Sequence, residues 1–555
     1  MAQNFEQIKK GLIDELNQRV SDKILEKSNA ELLSKLICGA ESISEAISIA
    51  QLGTTYKRTG LHYDKRLEPL SNEIHYFKKN ESLSFFTDEK KPVNKLIIGE
   101  NYQALHNLLI EFKGGVDVIY IDPPYGKDNM GEFAKTNYNN SLTRDNLLSM
   151  LYPRLVLAKQ LLSKEGVIFC SIDDKNQAYL KCLFDEVFGE NNFTGTIIWQ
   201  SATDNNPRQI STEHEYILCY CKNLSSQGAW QMESANAQKI IKKYREIKES
   251  NSSPEDIQKE LRKWIKDNKD ELSGVAHYNN VDEKGVFSSS SNSSNTKPGG
   301  YDFDILHPLT GKPCPKPAFG WRWPEKTFNA YKEAGEIVWG KDETTQPHVK
   351  KRIETATEQF KSIYYEDGRA ATTLLESIFS AKKVFDNPKP VNLISRLIAF
   401  ATNSKPDAVI LDFFAGSGTT GHAVLDLNLD GGERRFILCQ LNEKTETTPN
   451  GIAYDATAPR LKKIMTGEGY DGDKDFRWIK ENKPYGGNLD VYEINSVANF
   501  EAVEGNSPFD VIDETLYGKE KFKTIKKKID WVCDNFEQTQ TCVEDDKDWR
   551  NRQGE

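Results

Sequence analysis

At 555 residues the chain is long enough for two or three domains and a large apolar core. A hydrophobic content of 37% with a mean hydropathy of −0.64 reads as a soluble globular protein, and no apolar run approaches the roughly 20 residues that a membrane span needs. The net charge of −10 neither argues for nor excludes a nucleic-acid partner: residues 466–555 hold 13 Lys and Arg against 21 Asp and Glu, a balance of −8 that leaves the rest near −2, and phosphate binding needs only local positive charge.

The opening stretch MAQNFEQIKKGLIDEL carries acids early and lacks the apolar segment of a secretory leader, so a cytoplasmic location is expected. The 9 cysteines form no CxxC pair, and Cys219 and Cys221 stand in a strand-like CYC; free thiols in a reducing compartment are expected. The 8 histidines show neither HxH nor HExxH spacing, so no metal site is expected.

Residues 1–90 read as an amphipathic helical start followed by polar, turn-rich sequence. From 91 to 222 strands and helices alternate. KLIIGE (95–100) predicts a strand and NYQALHNLLIEF (101–112) a helix. VDVIYI (116–121) is a continuous apolar run, as a strand buried on both faces should be. LLSMLYPRLVLAKQLL (147–162) predicts a helix, GVIFCSI (166–172) a strand, 175–188 a helix and TIIW (196–199) a strand. Such alternation predicts an α/β, doubly wound sheet with helices on both faces.

Residues 223–384 break the pattern with charged helical stretches, the low-complexity loop VFSSSSNSSNTKPGG (286–300) and the Pro- and Trp-rich PCPKPAFGWRWPE; they read as an inserted domain. Alternation resumes over 385–465 with VNLISRLIAFAT as helix, AVILDFF as strand, a glycine turn, GHAVLDLN as helix and RFILCQL as strand. Residues 466–555 form an acidic C-terminal region in which GGNLDVYEI is one candidate strand.

Two motifs carry chemistry. LDFFAGSGTTGHAVL (411–425) is strand, glycine turn and helix, the setting of a nucleotide-type site. Gly416 and Gly418 let backbone approach a ligand where a Cβ would clash; position 421 is read as leaving a different spacing, so the phosphate-binding form GxGxxG is expected to be absent. Ser417, Thr419 and Thr420 offer hydroxyls, and the helix start offers amides to a carboxylate. No GK[ST] follows, so this is not a P-loop. IDPPYG (121–126) follows the apolar strand directly, placing a carboxylate, two prolines and an aromatic at a strand's C-terminal edge. Asp122 and the Pro123 carbonyl could accept both hydrogens of one amino group, and Tyr125 could stack on a base turned out of a duplex. Each motif alone could be no more than a tight turn.

Together, DPPY and FxGxG resemble the amino-methyltransferases of DNA. Asp122 precedes Phe414, an order that resembles the β class of adenine-N6 methyltransferases. IIGENYQALHNLL, VIYIDPPY, GVIFCSIDD, FDNPKPVNLISRLIAF, LDFFAGSGTTGHAV and RFILCQLNE, with HPLTGKP and GWRWPE, resemble the modification (Mod) subunit of type III restriction-modification systems over most of residues 95–445. The resemblance implies a Rossmann-like methyltransferase sheet with an inserted target-recognition domain and additional N- and C-terminal regions, and transfer of a methyl group from S-adenosyl-L-methionine to the N6 amine of a flipped-out adenine. Asp122, Pro123, Pro124 and Tyr125 would form the catalytic loop. Phe414, Ala415, Gly416, Ser417, Gly418 and Thr419 would hold the methionine part of the cofactor, with Asp412 at the strand end; Asn387, Pro388, Lys389 and Pro390 would close over it. Glu100 stands where the family carries Asp near the adenine, and either Gln440 or Glu443 would take the ribose. Implied partners are double-stranded DNA, a second copy in a homodimer, and a restriction (Res) subunit supplying ATPase and nuclease. A stand-alone adenine methyltransferase and a catalytically silent DNA-recognition subunit are the alternatives, with cytosine-N4 or RNA substrates behind them.

Other features divide between site and scaffold. Arg208, His214 and Glu215 are candidates for DNA or target-base contact or plain loop residues, and the basic runs at 239–248 and 521–531 for phosphate contact or a solvated helix face, with partner binding a third option for 521–531. Trp321 and Trp323 are expected in a local core, and SIDD (171–174) at a strand end with a helix cap.

Overall fold

The computed structural model describes residues 2–21, 25, 27–52, 73–125, 143–201, 209–250, 253–289, 293–381, 384–403, 405–498 and 507–537. Two compact units divide the chain: Met1–Pro69 with Pro124–Pro153 and Ala178–Leu183, and Leu70–Pro123 with Arg154–Gln177 and Phe184–Glu555.

In the first unit, helices α1 (Ala2–Ser21), α2 (Lys27–Gly39) and α3 (Ile43–Leu52) bury Leu16, Ala30, Leu33, Ile37, Ala46 and Ala50 against one another. The alanines let the helix axes approach, and Lys9 donates to the Cys38 carbonyl at 3.0 Å.

The second unit is built on a ten-stranded sheet. Its strands in chain order are β1 (Glu73–Lys79), β2 (Val93–Ile98), β3 (Val116–Ile121), β4 (Leu162–Ile172), β5 (Phe193–Gln200), β6 (His214–Cys221), β7 (Ile363–Tyr365), β8 (Val409–Asp412), β9 (Arg435–Gln440) and β10 (Asn488–Ala498). Their spatial order is β1-β10-β2-β9-β8-β3-β4-β6-β5-β7. The six strands from β10 to β4 run parallel, and antiparallel pairings occur at β1–β10 and on both sides of β6. Continuous apolar runs form the centre because helices cover both faces. Val116 and Val118–Ile121 of β3 are buried, as is all of β8. Helix α4 (Asn101–Phe112) presents Ala104, Leu105, Leu108, Leu109 and Phe112 at helical spacing.

β8 connects to β9 on one side, whereas β3 connects through α5 (Thr143–Leu161) to β4 on the other. The order of connection therefore reverses between the parallel strands β8 and β3, and a crevice opens beyond the carboxyl ends of strands at such a point.

Strands of this sheet lie on both sides of the boundaries expected from sequence. β1 comes from residues read as an N-terminal region, β7 from those read as the insertion, and β10 from the acidic tail. β10 is interior: Asn488 to Glu493 pair with Val93 to Ile98, and Glu73 to Lys79 pair with its other edge.

Between β6 and β7 the chain forms two smaller cores. In one, helices α6 (Ala235–Ser250) and α7 (Pro254–Asp267) bury Ile240, Ile241, Ile247, Ile257, Leu261 and Ile265 together with Val286 and Ile353. Lys239, Lys242, Arg245 and Lys248 lie on the exposed face of α6. The other gathers Ile305, Cys314, Trp321, Phe328, Ile337 and Val349, with Trp323 packed partly against it. Trp321 is 1% exposed and its indole donates to the Phe303 carbonyl at 2.8 Å, so it is a core residue. At the end of β4, Asp173 accepts from the Asn176 backbone amide at 3.1 Å in a turn; the helix Gln177–Phe188 that follows has Asn176 at its N-cap without a side-chain capping bond, so the cap expected of SIDD is not formed.

Among the described residues the cysteines are unpaired, no three His, Cys, Asp or Glu side chains gather as a metal site, and no helix is long and apolar enough to cross a membrane. Arg208 lies outside the described residues.

Candidate active site at the ends of two neighbouring strands

β3 and β8 are hydrogen-bonded neighbours, with Val118 opposite Ile410 and Ile119 opposite Leu411. This register brings the two sequence motifs together at one edge, because each begins where its strand stops: Asp122 after Ile121, and the glycine turn after Asp412.

Sequence dictates the shape of the turn. Gly416 has φ +52° and Gly418 φ +82°, a left-handed conformation that side chains oppose. The Gly416 amide donates to Gln440 Oε1 at 2.6 Å, and the Gly418 amide to the Ala415 carbonyl at 2.8 Å. Gly418 then caps helix α8 (Thr419–Leu427), which is buried along most of its length. Gly416, Gly418 and Gly421 do make a G-x-G-x-x-G spacing, which corrects the expectation that this form is absent. A Cβ on Gly421 would lie 2.9 Å from Leu461 Cδ2 and 3.1 Å from Leu438 Cδ1, so its role is to let the helix pack on the sheet.

Asp412, 2% exposed, accepts from the Phe414 amide at 3.0 Å and from the Thr420 hydroxyl at 2.5 Å. Burial raises its pKa to about 7; the two hydrogen bonds oppose the rise and the nearby negative Asp122 adds to it. Arg460 reaches the turn from below, its guanidinium donating to Ser417 Oγ at 3.0 Å and Thr419 Oγ1 at 2.9 Å. Thr457 Oγ1 donates to the Gly416 carbonyl at 2.6 Å. Neither Arg460 nor Thr457 was anticipated; both lie beyond the recognisable motif, with no sequence signal linking them to it.

On the far side of β8 and β9, Glu100 caps α4 by accepting from the Tyr102 amide at 2.6 Å, and its other oxygen accepts from Arg154 at 2.5 Å. Arg154, 1% exposed, also donates to Asn101 Oδ1 at 2.5 Å, and Asn101 Nδ2 donates to the Phe413 carbonyl at 2.8 Å. One buried arginine thus couples the end of β2 to the backbone of the glycine turn. Arg154 was missed because YPRL reads as ordinary helix.

Asn387, at φ +50°, turns the chain into Pro390, which caps helix α9 (Val391–Ala401). Phe385 of the same segment lies over the glycine turn, 3.1 Å from where a Gly416 Cβ would be. Lys389 points to the other motif: its ammonium lies 2.7 Å from Asp122 Oδ2 and 3.2 Å from Glu215 Oε2. Pro123 is buried, while Pro124 and Tyr125 are half-buried. The Tyr120 hydroxyl and Ser171 Oγ share a hydrogen bond of 2.7 Å. Glu443 follows β9, its amide donating to the Leu441 carbonyl at 2.9 Å.

Two motifs thus meet at adjacent parallel strand ends, and the sequence relatives say which family carries them. Residues 116–448 match the family described as DNA methylase, and the chain belongs to that family. Residues 2–118 match a family described only as an uncharacterised conserved protein. Among relatives, the type III restriction-modification enzyme EcoP15I Mod subunit of Escherichia coli is 30% identical over 456 residues, covering 76% of this chain and 69% of the relative. The StyLTI Mod subunit of Salmonella typhimurium is 31% identical over 395 residues, 64% of this chain and 53% of the relative. The type II methyltransferase M.KpnI of Klebsiella pneumoniae is 30% identical over 465 residues, 76% of this chain and 99% of the relative. Among solved structures, the PvuII DNA methyltransferase (cytosine-N4-specific) overlaps 64% of this chain and 86% of its own at 12% identity and a TM-score of 0.30. That overlap is low, and the family assignment rests on the sequence relatives.

Proposed function

We propose that this DNA methylase transfers a methyl group from S-adenosyl-L-methionine to the N6 amine of an adenine turned out of double-stranded DNA. One observation carries the reading: Asp122 and the glycine turn stand at the carboxyl ends of neighbouring parallel strands. A bound cofactor and a flipped base would meet across that edge.

The residues fit the cofactor. Left-handed Gly416 and Gly418 keep the turn bare of side chains, the start of α8 supplies amides for a carboxylate, and buried Asp412 braces the turn. Phe414, Ala415, Ser417 and Thr419 would line the methionine part, with Asn387, Pro388 and Pro390 above it. Glu100 would serve the adenine end. Gln440 is engaged by Gly416 and, through Nε2, by the Leu441 carbonyl at 2.9 Å; either Gln440 or Glu443 would take the ribose. S-adenosyl-L-methionine supplies a methyl group already activated by its positive sulfur, so no covalent enzyme intermediate is required.

Asp122 and the Pro123 carbonyl would each accept one hydrogen of the amine, drawing the nitrogen toward tetrahedral geometry and directing its lone pair at the methyl carbon. Tyr125 would stack on the extruded base. Alignment would supply most of the rate, and Asp122 would stand where positive charge grows on nitrogen. The Asp of DPPY favours adenine over cytosine.

The two small cores between β6 and β7 are assigned to target recognition, with the exposed basic face of α6 placed to follow phosphates. By likeness to the Mod subunits, the chain would work in the cytoplasm as a homodimer beside a Res subunit.

The test is transfer of labelled methyl groups to unmethylated DNA by the purified protein, followed by nucleoside analysis. N6-methyladenine is expected. N4-methylcytosine would overturn the choice of base, and cofactor binding without transfer would favour a silent recognition subunit.

A further inference from the structure

Arg460 is a buried cation without an anion. It belongs to the helix Ala458–Thr466 and is 1% exposed, and no carboxylate among the described residues forms an ion pair with it. Nη1 donates to the Ser417 hydroxyl at 3.0 Å, the Ser417 carbonyl at 3.3 Å and the Thr419 hydroxyl at 2.9 Å, and Nε has no hydrogen-bond partner. Nη2 lies 3.1 Å from His422 Nδ1. A guanidinium only donates, so Nδ1 accepts and the imidazole proton sits on Nε2, which donates to the Tyr485 hydroxyl at 3.2 Å. Tyr485 donates to Asp426 at 3.3 Å, so the first carboxylate on this path is two side chains away. Asp412 is held by Thr420 and the Phe414 amide instead. Burial pulls the pKa of Arg460 down to about 9, which leaves the charge in place at neutral pH.

The groups around the guanidinium supply donors in excess. Ser417 and Thr419 each have their hydroxyl oxygen taken up by Arg460, and the one acceptor either hydroxyl proton has is the other oxygen, 3.4 Å away. One of the two protons is therefore left over. Helix α8 begins at Thr419, Gly418 caps it with no side-chain bond, and the amides of its first turn have no carbonyl within the helix. A buried charge, a surplus proton and a helix dipole of the same sign call for an anion, because an uncompensated buried charge is costly. The cofactor assigned to this turn has one anionic group, the carboxylate of its methionine end. Arg460 is too deeply buried to touch it, but charge acts further where water is excluded.

We propose that Arg460 is a positioning residue for the cofactor: acting through Ser417 and Thr419, its charge makes the start of α8 select the carboxylate of S-adenosyl-L-methionine. The assignment rests on the methyltransferase reading above and extends it to a residue outside both sequence motifs. The competing role is plain scaffolding, in which the guanidinium only ties one helix to the turn.

These roles separate with two ligands that differ only in the carboxylate, S-adenosyl-L-methionine and its decarboxylated form. Affinity for each is measured by calorimetric titration of wild type, Arg460→Gln and Arg460→Lys, with a thermal melt to show that each is folded. Wild type should bind S-adenosyl-L-methionine about tenfold or more tighter than the decarboxylated form; this comparison needs no variant, and equal affinities would overturn the assignment. Arg460→Gln should lose roughly tenfold in affinity for S-adenosyl-L-methionine while affinity for the decarboxylated form stays within about twofold of wild type. Arg460→Lys, which keeps the charge, should recover most of that loss. Equal weakening of both ligands by Arg460→Gln, unchanged affinity for both, or Arg460→Lys binding no tighter than Arg460→Gln would each overturn the assignment and leave the cofactor reading standing. A wild type that binds neither ligand would overturn the cofactor reading, and this assignment with it.

Discussion

At the scale of single residues, two carboxylates at neighbouring strand ends are held for opposite purposes. Asp122 is half-buried against an ammonium, whereas Asp412 is sealed behind it and its pKa rises to about 7. Asp122→Ala should therefore remove methyl transfer, by about a hundredfold or more in kcat, and leave cofactor affinity largely intact; calorimetric titration beside the transfer assay reads both. Equal loss of both would make Asp122 structural. Asp412 predicts a pH dependence of stability. Its folded pKa lies above its unfolded value of 3.8, so the native state holds the proton more tightly. The stability this confers is present at low pH and is lost as pH rises through about 7. Urea melts should show wild type losing stability relative to Asp412→Asn between mildly acidic and mildly basic buffer. A constant gap would mean the carboxyl titrates normally.

At the scale of elements, the glycine turn separates ligand contact from packing. Gly416→Val combines a left-handed backbone with a Cβ about to meet Phe385, 3.1 Å away, so it should abolish cofactor binding; unchanged affinity in equilibrium binding would remove the turn from the cofactor site. Gly421→Ala pushes on Leu461 and Leu438 instead. It should destabilise the fold by about 1–3 kcal/mol in chemical denaturation, with the Michaelis constant for cofactor unchanged in the folded fraction. Glu100, Arg154 and Asn101 form a second brace, reaching the Phe413 carbonyl from β2 and α5. The glycines and DPPY were legible because each needs a particular residue type at a fixed offset. Arg154, Arg460 and Lys389's attachment to Asp122 were not, because a long side chain can reach any neighbour that packing brings near.

For the whole molecule, the sheet gathers strands from almost the full length of the chain. β10 lies inside it, between β1 and β2, although its sequence stands in the acidic tail. A chain truncated after residue 465 would remove the strand that pairs with both β1 and β2 and expose the neighbours of buried Leu489 and Val491. It should lose its cooperative thermal transition; a truncated protein that melts like the full chain would show β10 to be dispensable.

The sequence by itself determined the α/β alternation, the positions of the central strands and the two motifs. Buried parallel strands must be continuously apolar, and glycine is the residue that turns through left-handed backbone without strain. The sequence also carried the family, since several matched blocks in one order are specific where one motif is not. Only the tertiary structure decided that β1, β7 and β10 join the central sheet, that Gln440 holds the glycine turn, and that Lys389 reaches both Asp122 and Glu215. Those are matters of register and reach between segments far apart in the chain, and no local pattern encodes which distant partner a strand edge or a charged side chain will meet.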